Sequence, residues 1–146
     1  MSKPFEFQLE KVLEYREQLE EQAKGALALA KAARETQAAR VTALEEQLRK
    51  HLLTENTSHS SANDMWLWRQ YKDALTQDLS VERVNLNTLE LKLQRCRTEA
   101  VERSKEKKLL EKLKATQAKK HHDEENARQE KENDEMATLR YKSQNF

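Results

Sequence analysis

The densest set of side chains able to do chemistry is the run His121-His122-Asp123-Glu124-Glu125, whose imidazoles and carboxylates are the common ligands of zinc. Spacing argues against a chelate. In a helix the adjacent histidines point about 100° apart, and only a pair such as His121 with Glu125 shares a face. A solvated charge run is therefore the expected role, and no metal is expected. His51 and His59 fall at the end of one apolar-periodic segment and in the polar stretch after it, where solvent exposure accounts for both. Cys96, the only cysteine, excludes an internal disulfide framework and an all-cysteine metal site. It fits a reducing compartment and equally a small hydrophobe. No Ser-His-Asp set and no glycine-rich phosphate loop is present, so neither catalytic residues nor a cofactor are expected and the protein reads as non-enzymatic.

The elements that must position these residues are helices. One Gly, one Pro, 36% charged and 5% aromatic residues in 146 match long helices or coiled coils rather than a globule with a pocket. From Pro4 to Thr54, apolar or small residues recur at alternating steps of four and three: Phe5, Leu9, Val12, Arg16, Leu19, Ala23, Ala26, Ala30, Ala33 and Gln37. An extra four-residue step then leads to Val41, Leu44 and Leu48, a stutter that locally unwinds a left-handed supercoil. Arg16 and Gln37, polar at seam positions, are expected to fix register. Pro4 suits the first helical position.

Asn56 to Asp64 is short, polar and poor in helix formers, the mark of a helical-hairpin connection, and Ser61 with Asp64 resembles a capping box. A second seam runs through Trp68, Tyr71, Leu75, Leu79, Leu86, Leu89, Leu93, Cys96 and Ala100, fading into Leu109, Leu110 and Leu113. Folding back about residue 60 sets Leu44 against Leu75, Ala30 against Leu89 and Leu9 against Leu110, alanine facing leucine through the middle. The expected architecture is all-α: a single coiled-coil domain, a long antiparallel two-helix hairpin with helix one about 4–54, a turn about 56–64 and helix two about 65–140. Helix two overhangs from about residue 115; if helical, the roughly 30-residue tail reaches about 45 Å. Ala115, Ala118 and Ala127 are its only apolar residues before Met136, Leu139, Tyr141 and Phe146, so a partner is expected to supply the missing surface. A pair such as Glu124 with Arg128 would support it weakly.

Formal net charge is +1, which gives no global pull toward nucleic acid or anionic lipid. Lys92 to Lys112 holds eight basic residues against four acidic ones, but the acids interrupt it and it lies within the paired region, so it reads as a solvated flank and not a DNA-binding arm. No apolar run approaches the roughly 20 residues needed to cross a bilayer. Without a secretory leader, cytoplasmic residence is the expectation. Trp66 points away from Trp68, either as an exposed contact anchor near the turn or as a cap over it.

The opening Phe5-Glu6-Phe7-Gln8-Leu9-Glu10-Lys11-Val12-Leu13-Glu14-Tyr15-Arg16, followed by Glu20-Glu21-Gln22-Ala23, resembles the start of the flagellar export protein FliJ family. Chain length, the hairpin, aromatics after the turn and the charge-dense tail from Glu124-Glu125 through Asp134-Glu135 agree with it in outline. The resemblance implies a small cytoplasmic component of the flagellar type III export apparatus, similar to the central stalk of rotary ATPases and peripheral at the inner face of the membrane. It implies binding to a hexameric FliI-like export ATPase, to the cytoplasmic domain of an FlhA-like export gate and to export chaperones, with neither nucleic acid nor direct membrane insertion. By that analogy, Phe5, Phe7, Leu9, Met136, Leu139, Arg140 and Tyr141 would meet the ATPase ring. The tip-proximal stripe Gln37, Val41, Leu44, Leu48, Trp66, Tyr71 and Leu75 would face the gate, although core packing alone accounts for Val41, Leu44 and Leu75. Competing readings are a stalk or stator coiled coil of another rotary ATPase or virulence secretion system, a general coiled-coil adaptor, and a nucleic-acid-binding coiled coil.

Overall fold

The structure, a computed structural model, describes residues 3–55 and 61–144; the expected turn residues 56–60, with His59, and the terminal Phe146 lie outside them. Among the described residues it is all-α: α1, Glu10–Leu53, and α2, Ala62–Gln144, pack against each other as a helical hairpin. Contacts divide the chain into two compact units, one of Glu21–Val101 and one joining Met1–Glu20 to Glu102–Phe146.

In the Glu21–Val101 unit, the side chains withdrawn from solvent on α1 include Ala23, Leu27, Ala30, Arg34, Gln37, Val41, Leu44, Leu48 and His51. The same rhythm includes Leu13, Arg16 and Glu20 further up the helix, so the steps alternate between three and four with no insertion. The expected stutter is absent. Its source was the choice of apolar residues at every second position: Val12, Ala26 and Ala33 are in fact exposed, and the neighbouring Leu13, Leu27 and charged Glu20 and Arg34 turn inward instead. Glu20 and Arg34 are tolerated there because each meets an opposite charge, Lys107 at 2.9 Å and Glu90 at 3.2 Å.

On α2, Trp68, Leu75, Leu79, Leu86, Leu89, Leu93, Cys96 and Ala100 are withdrawn as expected; Glu82 fills the gap after Leu79, and Lys72 takes the place expected for Tyr71. Through the middle of the seam the buried residues of α1 are small (Ala23, Ala30), while Leu86, Leu89 and Leu93 are withdrawn on α2, the complementarity a void-free seam needs. Each buried leucine contributes about 1.5–3 kcal/mol relative to exposure. Gln37 donates to the Glu82 carbonyl at 3.0 Å, in the expected register, while Arg34 reaches Glu90, several positions further along α2. The length of the arginine side chain allows that offset.

Ser61 caps α2, its Oγ accepting from the Asp64 amide at 3.2 Å. In the unit formed by the two ends, α1 begins at Glu10 and not at Pro4. Residues 3–7 are non-helical. Phe7 is buried and the Phe5 ring lies 5.8 Å from that of His121. An extended segment puts residues 5 and 7 on one side, whereas a helix would aim them about 200° apart. Docking both phenylalanines therefore outweighs the helical preference of a proline at the first position.

Candidate interaction surfaces

Near the turn, α1 ends as Thr54 turns back on His51, its hydroxyl donating to the His51 carbonyl at 2.6 Å. The His51 ring stacks on Trp68 at 4.7 Å and meets Tyr71 edge-on at 4.6 Å. His51 Nε2 lies 2.9 Å from the Trp68 carbonyl; a carbonyl only accepts, so Nε2 carries the proton. Trp68 Nε1 in turn donates to Thr54 Oγ1 at 3.1 Å. His51, expected to be merely solvent-exposed, thus belongs to the seam. The signal was its place three residues after Leu48.

The seven tip-proximal candidates separate into two groups. Gln37, Val41 and Leu75 are buried, and Leu44 and Leu48 are half-buried, all within the seam between the helices. Trp66 and Tyr71 are more than half exposed. Trp66 faces outward as an anchor would. Leu52, Leu53 and Leu67, not singled out by periodicity, are also exposed at this end, so the accessible apolar surface among the described residues includes Leu52, Leu53, Trp66, Leu67 and Tyr71. The missed signal was leucine directly outside the last seam positions.

In the unit of the two chain ends, the seam is built mainly of charges. Arg16 pairs with Glu106 at 2.7 Å, Arg103 with the same carboxylate at 3.2 Å, and Glu10 with Lys114 at 2.7 Å. Glu20, only 4% exposed, receives a hydrogen bond from Lys107 Nζ at 2.9 Å. That bond holds the Lys107 pKa above its ordinary value, against the smaller opposing effect of desolvation. Arg103 and Lys107, expected on a solvated flank, turn inward to these acids.

The candidates for an ATPase contact do not form one patch. Phe7 is buried and Phe5 half-buried beside His121, and Leu9 is 38% exposed. Met136, Leu139, Arg140 and Tyr141 are exposed on α2. Fifteen residues separate His121 from Met136, about 22 Å of helix. Beyond Glu125, every described side chain is exposed through residue 143.

His121 Nε2 lies 2.9 Å from the Lys3 carbonyl, and His122 Nε2 lies 3.1 Å from the Asn126 side-chain nitrogen. Arg128 pairs with Glu125 at 2.7 Å. No cluster of three or more His, Cys, Asp or Glu suited to a metal occurs among the described residues. No described helix is long and apolar enough to cross a membrane.

Neither a curated protein nor a solved structure matches the chain significantly. The family model described as Flagellar FliJ protein matches residues 5–146. A match over nearly the whole length, on a chain that folds as a two-helix hairpin, decides the matter: the chain belongs to the flagellar FliJ protein family and has a role related to flagellar export.

Proposed function

We propose that the protein is a non-enzymatic, stalk-like component of the flagellar type III export apparatus, binding the export ATPase ring through the far end of α2 and linking it to the export gate and export chaperones. The observation that carries this reading is α2 itself. It runs 83 residues against 44 for α1, and from residue 126 to residue 143 it is exposed on every side while carrying Met136, Leu139 and Tyr141. A helix without an apolar face toward its own chain gains most of its stability from a partner. A ring's bore is one surface that could surround it. Phe5 and Phe7, docked onto α2, serve to hold the start of α1 in place, and the ATPase contact lies in Met136, Leu139, Arg140 and Tyr141.

Toward the gate, the accessible residues Trp66 and Tyr71 are the contacts, and Gln37, Val41 and Leu75 support them from within the seam. The test is the ATPase rate of the purified export ATPase with the full chain, with a chain ended after Arg128, and with a Met136→Ala, Leu139→Ala, Tyr141→Ala triple variant. Stimulation by the full chain that is lost in both variants supports the reading. Equal stimulation by all would place the contact on the paired helices, and none from any would remove the ATPase as partner.

A further inference from the structure

Helix α2 carries a second apolar line on the face turned away from α1. Val81, Val84, Thr88 and Leu91 follow at steps of three, four and three, the spacing of a coiled-coil seam. All are exposed, Val84 at 64% and Leu91 at 58%. A β-branched residue on an open helix surface gives up side-chain freedom and buries nothing in return. Thr88 belongs to the line because its hydroxyl already donates to the Val84 carbonyl at 3.1 Å, which leaves its methyl group to face outward.

The charges flanking this line say what covers it. With a second copy laid antiparallel about a two-fold axis near residue 86, Val81 meets the partner's Leu91 and Val84 meets the partner's Thr88. On one flank Asp78 then faces the partner's Lys92, and by symmetry this pair occurs a second time. The remaining flanking pairs near the axis are neutral, Asn85 and Asn87 each facing their own symmetry copies. Turned parallel, the same line would set Asp73 beside the partner's Asp78, also twice, with no attractive pair in exchange. Asp78 and Lys92 are both exposed and available for such contacts.

We infer that the outer face of α2 between Val81 and Leu91 is a self-association surface, on which a second copy of this chain docks antiparallel with Asp78 and Lys92 paired across the two-fold axis. The apolar line is short, so the association is modest, with a dissociation constant between about 10 µM and 1 mM. It does not depend on the stalk reading.

Sedimentation equilibrium of the full chain tests it. The weight-average mass is expected to rise from 17.2 kDa toward twice that value as concentration approaches about 1 mM. Asp78→Lys alone and Lys92→Asp alone each bring like charges together and weaken association about tenfold, while the double variant Asp78→Lys, Lys92→Asp restores it. Val84→Glu remains a monomer throughout. Because all three positions are exposed, circular dichroism at low concentration is expected to be the same for every variant. A wild-type mass of 17.2 kDa at the highest concentration overturns the inference. So does a charge-swapped double variant that fails to recover, or a Val84→Glu protein that associates like the wild type.

Discussion

The Glu21–Val101 unit buries Ala23, Ala30, Val41, Trp68, Leu75, Leu79, Leu93 and Ala100, whereas in the unit of the two chain ends the buried apolar residues among those described are Phe7 and Leu13, beside the buried Glu20. Both carry ion pairs between the helices. In the first they accompany an apolar seam: the Arg83–Glu45 side chains are 47% or more exposed, and Arg34 reaches Glu90 from a seam position with 40% of its side chain exposed. In the second they replace the apolar seam, with the Glu20 and Lys107 side chains 5% and 23% exposed. One pairing rests on burial, which is insensitive to salt. The other rests on charge, which salt screens and pH can remove. The comparison teaches that a seam can keep its heptad rhythm while its chemistry changes along the helix.

The largest expected effect tests the apolar half. Leu79→Ala leaves a gap in the seam and should cost about 2–3 kcal/mol in chemical denaturation, with little dependence on salt or pH. Glu20→Ala should lower the melting midpoint by a few degrees at neutral pH, and it sharpens the contrast because its effect should depend on conditions. The Lys107 pKa is raised above 10.5 in the folded state, so the pair's contribution is present below about pH 10.5 and is lost as pH climbs through the raised value. Melts of wild type and Glu20→Ala should therefore converge above that range and in molar salt. A difference that persists at high pH would mean that Glu20 acts through packing.

Thr54→Val removes the acceptor of Trp68 Nε1 and should cost about 1 kcal/mol, measured as a shift in the urea midpoint. Smallest, and opposite in sign, is Gly25→Ala. Gly25 lies inside α1, has no positive φ, and an added Cβ there would meet nothing within 4 Å. A gain of about 0.5–1 kcal/mol is expected. A loss would show that the backbone at Gly25 is approached by something other than this chain's own atoms.

How legible each half was in the sequence follows from the same contrast. The leucines of α2 announced their face because leucine seldom recurs at seam spacing by accident, and Ser61 announced the start of that helix. α1 was misread where its seam is charged. Ala26 and Ala33 looked like core and are exposed, while Glu20 and Arg34 looked like surface and are turned inward by partners on α2 far away in sequence. Alanine is compatible with either face, and a charge at a seam position gives no local sign that its counter-ion will be there. The start of α1 failed for a related reason: Pro4 favours a helix locally, but the docking of Phe5 and Phe7 is a tertiary gain. Of the surfaces, the apolar end of α2 and Trp66 could be read directly. Gln37 was legible as a seam position, but the place of His51 in the aromatic cluster needed the register to be known.

Hydrogen–deuterium exchange on the intact protein, with and without the export ATPase, tests the central claim most directly. Alone, the amides of residues 126–143 should exchange fastest within α2 and those of residues 75–93 slowest, following burial. With the ATPase, protection is expected in residues 126–143 and none at Trp66 or Tyr71. Protection confined to the turn end, or absent from the exposed end of α2, would contradict that claim.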